Sequence, residues 1–245
     1  MSYYKVPMLI DVFRLTTSRL DETTANLIEY LKRAPGGFNY NRAALFQRKA
    51  YQGYRDDEQL YLQCLGDGTK QERIQNARVV KLITPFAVNR SIQVFSLPKR
   101  NFSLTKGVDS PMGPSFFLVE AEVVKVFYLH CRNAHRATKE DIEFWAAAQK
   151  FEVLDTEFYG LKSDFEILNV GPRDRTGNAR VERLSLANLS LPTLEQVKER
   201  TDTFIKAFRN VDDNRLAGQK GARKQSAKDL DQPGFEFPNS GSNLD

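Results

Sequence analysis

The segment that most limits the possible folds of this chain is the apolar-rich run from Phe116 to Leu129, with the sequence FFLVEAEVVKVFYL. Glu120, Glu122 and Lys125 interrupt the run, and each of these charges is costly inside a lipid bilayer. The run is also shorter than the roughly 20 residues of a membrane-spanning helix. Its β-branched and aromatic residues favour a long, buried strand, although its length also allows a helix. The sequence therefore predicts a protein built around a β-sheet, with no membrane span.

Composition narrows the class of protein. The chain has 245 residues, of which 41% are hydrophobic and 27% charged, as expected of a globular protein with a buried core. Its 36 Lys and Arg against 31 Asp and Glu leave a net charge of +5, which is compatible with nucleic-acid binding but does not require it. Cys64 and Cys131 are too few for a disulfide-rich secreted scaffold, and the first residues lack the pattern of a signal peptide. These features predict a cytoplasmic protein.

Residues 1–86 are predicted to form a helix-rich N-terminal portion. The first helix is expected from Asp21, a suitable N-cap residue, to the Pro-Gly-Gly stop that follows its apolar stripe. A second helix is expected from Asn41. A third follows Thr69 and Glu72, which have the spacing of a capping box.

Residues 87–211 are predicted to form the sheet portion of the same globular unit. Strands are expected in SIQVFSL, in the run 116–129, and in KFEVLDTEFYG, DFEILNV and RVERLSL, whereas the Pro- and Gly-rich stretch 98–114 is expected to be a long connection. The short loops between these strands favour a mostly antiparallel sheet. Helices with N-cap signals are expected at 138–150 and 193–210 and would pack on this sheet. The pattern predicts an α+β fold.

Residues 212–245 contain few apolar side chains and are predicted to form a flexible tail, because they cannot bury enough surface to offset the entropy of ordering. Phe235 and Phe237 lie between two prolines in this tail. Isolated aromatics of this kind are typical of short motifs that bind a groove or a sheet edge of a partner protein. The tail is therefore the predicted contact with other subunits.

The stretch HCRNAHRATKEDIEFW, residues 130–145, contains both histidines and the only tryptophan of the chain. It provides no fourth ligand and no second ligand cluster to complete a zinc site. His130 and Cys131 are neighbours on a strand and face opposite sides, although Cys131 and His135 could still meet through a turn. The alternative interpretation is a strand end followed by a helix that Thr138 caps, with the tryptophan in the core. No metal, cofactor or catalytic residue is predicted.

Acidic residues on the predicted strands raise the alternative of a divalent-metal-dependent nuclease. Such an enzyme needs carboxylates that hold the metal, followed on the next strand by an acidic-x-Lys triplet. Glu120, Glu122 and Lys125 have the wrong spacing for that triplet, and the other pairs lack the lysine; these pairs are Asp155 with Glu157 and Asp164 with Glu166. Paired acids are equally typical of a solvated sheet face.

Basic segments are the most suggestive feature. Two lie in predicted loops: one between a strand and a helix N-terminus, which is a favourable place for a phosphate, and one in the glycine-flanked loop GPRDRTGNAR. A third lies in the tail. Charged loops also serve solubility alone. The predicted nucleic-acid-binding residues are Arg132 and Arg136 in the first segment, Arg173, Arg175 and Arg180 in the second, and Lys220, Arg223 and Lys224 in the third.

The function predicted from these observations is a non-enzymatic, nucleic-acid-associated component of a larger cytoplasmic assembly, which contacts phosphates through arginines. Two alternatives stay open. One is the metal-dependent nuclease, and the other is a protein-interaction subunit docked through its C-terminal tail.

Overall fold

The computed structural model describes residues 5–32, 40–54, 56–66, 70–131, 137–173 and 179–229. The side chains of residues 70, 172–173 and 212–229 lie outside this description. Several predicted site residues consequently fall outside the described residues; these are Arg132, Arg136, Arg175, Phe235 and Phe237.

The N-terminal portion is helical, as predicted. The helices expected after Asp21, at Asn41 and after Glu72 are confirmed, whereas the first and fourth helices carried no clear sequence signal. Asp21 does not cap its helix but lies in the first turn, where it pairs with Arg19 at 2.7 Å. The helices are α1 (Leu9–Leu15), α2 (Leu20–Lys32), α3 (Asn41–Tyr51), α4 (Asp57–Leu65) and α5 (Lys70–Ile83), followed by a 3₁₀ turn (Thr84–Ala87).

A five-stranded mixed sheet forms the centre of the molecule, in the order β1-β4-β5-β6-β7. All neighbouring strands are antiparallel except β5 and β6, which are parallel. The fold is therefore α+β, and its sheet is mostly antiparallel. The strands are β1 (Gln93–Ser96), β4 (Phe116–Glu120), β5 (Val123–Cys131), β6 (Ser163–Arg173) and β7 (Ala179–Leu184), with a separate hairpin of β2 (Asn101–Thr105) and β3 (Val108–Pro111).

Helices cover both faces of the sheet. The crossover between β5 and β6 contains α6 (Lys139–Gln149), a π-helical turn (Lys150–Leu154) and α7 (Asp155–Glu157), and the described chain ends in α8 (Leu194–Asp229). One apolar cluster joins α1, α2, α6 and α8 to the sheet, and a second joins α3, α4 and α5 to the opposite face. Burial of these two clusters accounts for the order of the layers.

The prediction of one strand over 116–129 was wrong, because β4 and β5 form a hairpin within it. The turn consists of Ala121 and Glu122, which both adopt positive φ angles of 48° and 63°. A two-residue hairpin turn with both φ angles positive normally contains Asn, Asp or Gly. No turn signal was therefore visible in the sequence.

Two further predictions in the sheet portion were wrong. KFEVLDTEFYG is the helical continuation of α6 rather than a strand, and its buried residues Val153, Leu154 and Phe158 follow helical spacing. The stretch 98–114 is not a plain connection but holds the β2–β3 hairpin. That hairpin is fixed by the buried Trp145, whose indole N–H donates to the carbonyl of Met112 at 3.1 Å.

Both predicted caps are confirmed. The Thr138 hydroxyl accepts from the amide of Asp141 at 3.1 Å, and the Asp141 carboxylate accepts from the amide of Thr138 at 2.8 Å. Thr193 and Gln196 form the same pair of bonds before α8. The backbone of α8 continues to Asp229, past residue 212 at which the tail was predicted to begin. Flexibility of the tail stays a prediction.

Candidate functional site

Strand topology brings two of the predicted basic segments to the same end of the sheet. Because β5 and β6 are parallel neighbours, Cys131 at the end of β5 pairs with Val170 near the end of β6. The segment with Arg132 and Arg136 follows Cys131 directly. The hairpin that carries the second segment closes at the same place. We call this the arginine end of the sheet.

The second segment is only partly described. Arg173 is the last residue of β6 and pairs with Ala179 of β7 across the hairpin, although its side chain is outside the description. Arg180 follows on β7 and is exposed. The structure thus confirms the hairpin that was predicted to present these arginines, but it does not describe the loop between them.

Neither His130 nor Cys131 offers an accessible reactive group at this end. His130 is buried, and its Nε2 accepts from the amide of Ala137 at 3.4 Å, a bond that joins the end of β5 to the residue before the α6 cap. Cys131 is also buried, and burial raises the pKa of its thiol well above the usual range. A protonated, buried thiol is a poor nucleophile. Within the described ranges, the structure contains no cluster of three His, Cys, Asp or Glu suited to a metal.

The N-terminus of α6, which was expected to favour a phosphate, is already occupied by carboxylates of this chain. Asp141 caps the helix together with Thr138, and Arg200 of α8 binds both Asp141 at 2.5 Å and Glu140 at 2.8 Å. The acidic first turn satisfies the helix dipole and repels further anions. The N-terminus of α6 therefore offers no free site for a phosphate.

The third basic segment lies on the helical backbone of α8. Lys220, Arg223 and Lys224 fall within about one and a half turns of each other, since an α-helix has 3.6 residues per turn. From residue 215 to residue 228 the sequence holds no acidic residue, and its basic residues are Arg215, Lys220, Arg223, Lys224 and Lys228. The backbone thus groups charges that a fully extended tail would spread out.

A second charged site extends from the middle of the sheet toward its opposite end, on the face covered by α3 and α5. Its centre is Glu166 of β6, which is only 1% exposed. Glu166 accepts from Arg90 at 2.8 Å, from Arg183 at 2.8 Å and from the hydroxyl of Tyr51 at 3.0 Å. A buried carboxylate requires this degree of compensation. Burial also raises the pKa of Tyr51 far above its usual value.

Arg90 joins Glu166 to a second carboxylate. Its Nε and Nη2 donate to the two oxygens of Glu120 at 2.7 and 2.6 Å, and Lys125 adds a third donor at 2.6 Å. Hydrogen bonds from Arg90 lower the pKa of Glu120 to about 2. We call this site the charge cluster; it consists of Tyr51, Arg90, Glu120, Lys125, Glu166 and Arg183.

Glu120, Lys125 and Glu166 belong to the residues of the nuclease hypothesis, but their spacing in the sequence did not predict that they lie together. They come from three strands, and Arg90 and Tyr51 come from elements that carried no functional signal. The remaining acids of the nuclease hypothesis lie elsewhere: Asp155 pairs with Lys150 at 2.7 Å, Asp164 accepts from the amide of Leu186 at 2.7 Å, and Glu157 pairs with Arg100. The cluster could have been predicted only from knowledge of which strands are neighbours in the sheet.

Both carboxylates of the charge cluster are already bound by cations of the protein. Three cations face two carboxylates, and guanidinium groups occupy the carboxylate oxygens that a divalent cation would use. The arrangement stabilises the junction of α3 with the sheet. It does not present a general base or a metal-binding pair to a substrate.

Comparisons of the chain with protein families, with curated proteins and with solved structures each return no match. No helix within the described ranges is both long enough and apolar enough to cross a bilayer.

Proposed function

We propose that this protein is a nucleic-acid-associated component of a larger cytoplasmic assembly, and that it contacts phosphates through the arginine end of the sheet. The observation that carries the proposal is the parallel pairing of β5 with β6, since it brings two arginine segments that are distant in sequence to one place. Arginine suits this role because its planar guanidinium binds phosphate oxygens in pairs.

Ion pairing within the protein separates this end from the charge cluster. Arg180 is exposed, and none of the ion pairs between described residues involves it, whereas Arg183 on the same strand binds Glu166. Charges that are not already paired within the protein can replace the counterions of a polymer. The basic stretch of α8 supplies a second contact with the same chemistry, and the tail with Phe235 and Phe237 supplies the contact with other subunits.

Binding of labelled single- and double-stranded DNA and RNA, measured by fluorescence anisotropy at several salt concentrations, tests the proposal. A site that contacts about four duplex phosphates loses around two orders of magnitude in affinity between 50 and 200 mM salt. Substitution of Arg173, Arg175 and Arg180 by Ala should reduce the salt dependence by about one unit of log-log slope for each lost contact, without changing the melting temperature.

A matched control removes the same charge from exposed positions outside the three basic segments, by substitution of Lys99, Lys106 and Lys198 with Ala. We expect this control to bind nearly as well as the wild type. Equal losses in the two triple variants would show a nonspecific effect of net charge. Absence of binding by the wild type to all four polymers at tens of micromolar protein would refute the proposal.

The metal-dependent nuclease is a second candidate, favoured by the convergence of Glu120, Lys125 and Glu166 on adjacent strands. Arg90 lies where a metal would have to bind, so activity would require that this side chain withdraw. Incubation of labelled DNA and RNA with the protein and Mg²⁺ or Mn²⁺ tests it, with Glu166→Gln as the matched variant. Cleavage that persists in this variant would exclude the charge cluster as its source.

A further inference from the structure

The two edge strands of the sheet differ in a way that points to a binding surface. The edge strand β7 contains three charged residues, Arg180, Glu182 and Arg183, which discourage pairing with another strand. The edge strand β1, with the sequence QVFS, contains no charge, no proline and no glycine. Three of its four residues are exposed, and its outer edge has no hydrogen-bond partner among the residues that the structure describes.

The side chains around β1 define what this edge can accept. On one face of the sheet, Phe95 is 43% exposed and stacks on Phe117 at 5.2 Å, which in turn packs edge-on against the buried Phe158. On the other face, Arg48 of α3 donates to the hydroxyl of Ser96 at 2.9 Å. Within the described residues, Arg48 has no carboxylate within ion-pair distance. The edge strand therefore has stacked aromatic rings on one face of the sheet and a cation on the other.

The C-terminal segment of this chain matches these features. Between Pro233 and Pro238 lie four residues, Gly-Phe-Glu-Phe, which is the length of β1. In an extended strand Phe235 and Phe237 face one side and Glu236 faces the other. Added to β1, the segment would place its phenylalanines on the Phe95 face and Glu236 on the Arg48 face. The flanking prolines cannot donate hydrogen bonds and would end the added strand.

We propose that β1 binds the Gly234–Phe237 segment of a second copy of this chain, by strand addition, and that reciprocal exchange gives a symmetric dimer. A second copy is favoured because α8 carries the segment away from the buried part of its own chain. Val211 is the last buried residue described on α8, and the helix continues to Asp229, about 27 Å further at 1.5 Å per residue. The six residues from Asp229 to Phe235 span at most about 20 Å, so the segment cannot return to the level of Val211.

Sedimentation velocity of the full-length chain tests the dimer. We expect a dimer at tens of micromolar that dissociates on dilution, and a monomer for Phe235→Ala with Phe237→Ala and for Phe95→Lys. Leu62→Lys is the matched control, because Leu62 is an exposed leucine on α4, far from β1 in the sequence, and should leave the dimer intact. A dimer that survives the tail substitutions, or a wild type that is monomeric at all concentrations, overturns the proposal.

A labelled peptide of residues 231–243 tests the pairing itself, with the full-length Phe235→Ala, Phe237→Ala protein as its receptor. Saturable binding is expected, and it should be lost with Phe95→Lys and weakened roughly tenfold with Arg48→Glu, because like charges would then face each other. A peptide with Glu236→Lys should restore binding to the Arg48→Glu protein. Failure of this charge exchange to restore binding, or peptide binding that ignores both protein substitutions, refutes the assignment.

Discussion

At the charge cluster, Arg90 and Arg183 both bind the buried Glu166, whereas at the arginine end of the same sheet the exposed Arg180 has no ion pair among the described residues. Both ends are rich in arginine, and the sequence alone does not separate them. The two groups of arginines differ in whether a buried carboxylate lies within their reach. Arginines that compensate a buried acid hold the fold together, and those beyond the reach of such acids can bind an external anion.

The largest expected effect is at the centre of the charge cluster. Glu166→Gln should lower the free energy of unfolding by about 3–5 kcal/mol, because it removes the buried carboxylate that compensates Arg90 and Arg183 and leaves Arg90 with Glu120 alone. Chemical denaturation measures this loss. Glu182→Gln on the neighbouring strand is the control, since that residue is exposed and should change stability by less than about 0.5 kcal/mol. Equal losses would mean that burial does not distinguish the two acids.

Low pH should reduce the contribution of the charge cluster to stability, because Glu120 becomes protonated. Its pKa is lowered from 4.5 to about 2 in the folded protein, so its contribution to stability is complete above pH 4.5 and is lost as the pH falls toward 2. The difference in unfolding free energy between the wild type and Glu120→Gln should therefore shrink over this range. Denaturation at a series of pH values checks the prediction, and a difference that stays constant down to pH 2 would contradict it.

Beside the arginine end, the start of α6 is held by the cap that Thr138 and Asp141 form. Thr138→Ala should destabilise the protein by about 1 kcal/mol, because it leaves an amide at the start of α6 without its acceptor. Thr203→Ala is the matched control, since Thr203 is half-buried within α8 and its hydroxyl bonds only a helix carbonyl rather than a helix-starting amide. Thermal melts that show the same shift for both variants would argue against the cap.

The smallest stability effect is expected for Arg180→Ala, which should change the unfolding free energy by less than about 0.5 kcal/mol because the side chain is exposed. The same variant should weaken nucleic-acid binding. Arg183→Ala, on the same strand, should do the reverse and reduce stability more than binding. Parallel melts and anisotropy titrations of the two variants check this contrast, and similar behaviour of the two would remove the distinction between the ends.

Local signals in the sequence predicted much of the fold. The cap residues Thr138 and Thr193 marked the starts of α6 and α8, and the apolar spacing of residues such as Val197 and Phe204 marked the buried face of α8. These features depend on interactions within three or four residues. The hairpin turn at Ala121 and Glu122 could not be predicted in this way, because its two residues do not favour the positive φ angles that they adopt.

The candidate sites likewise depend partly on features that the sequence predicts and partly on features that it does not. The sequence by itself determined which segments carry unbalanced positive charge, because charge is a property of each residue. Only the tertiary structure decided that Lys125, Glu120 and Glu166 meet at Arg90, and that the ends of β5 and β6, which the arginine segments follow in the sequence, lie side by side. Both outcomes depend on the parallel pairing of two strands that are separated by a helical crossover. Such pairing is selected by burial of the whole sheet, which no short stretch of sequence encodes.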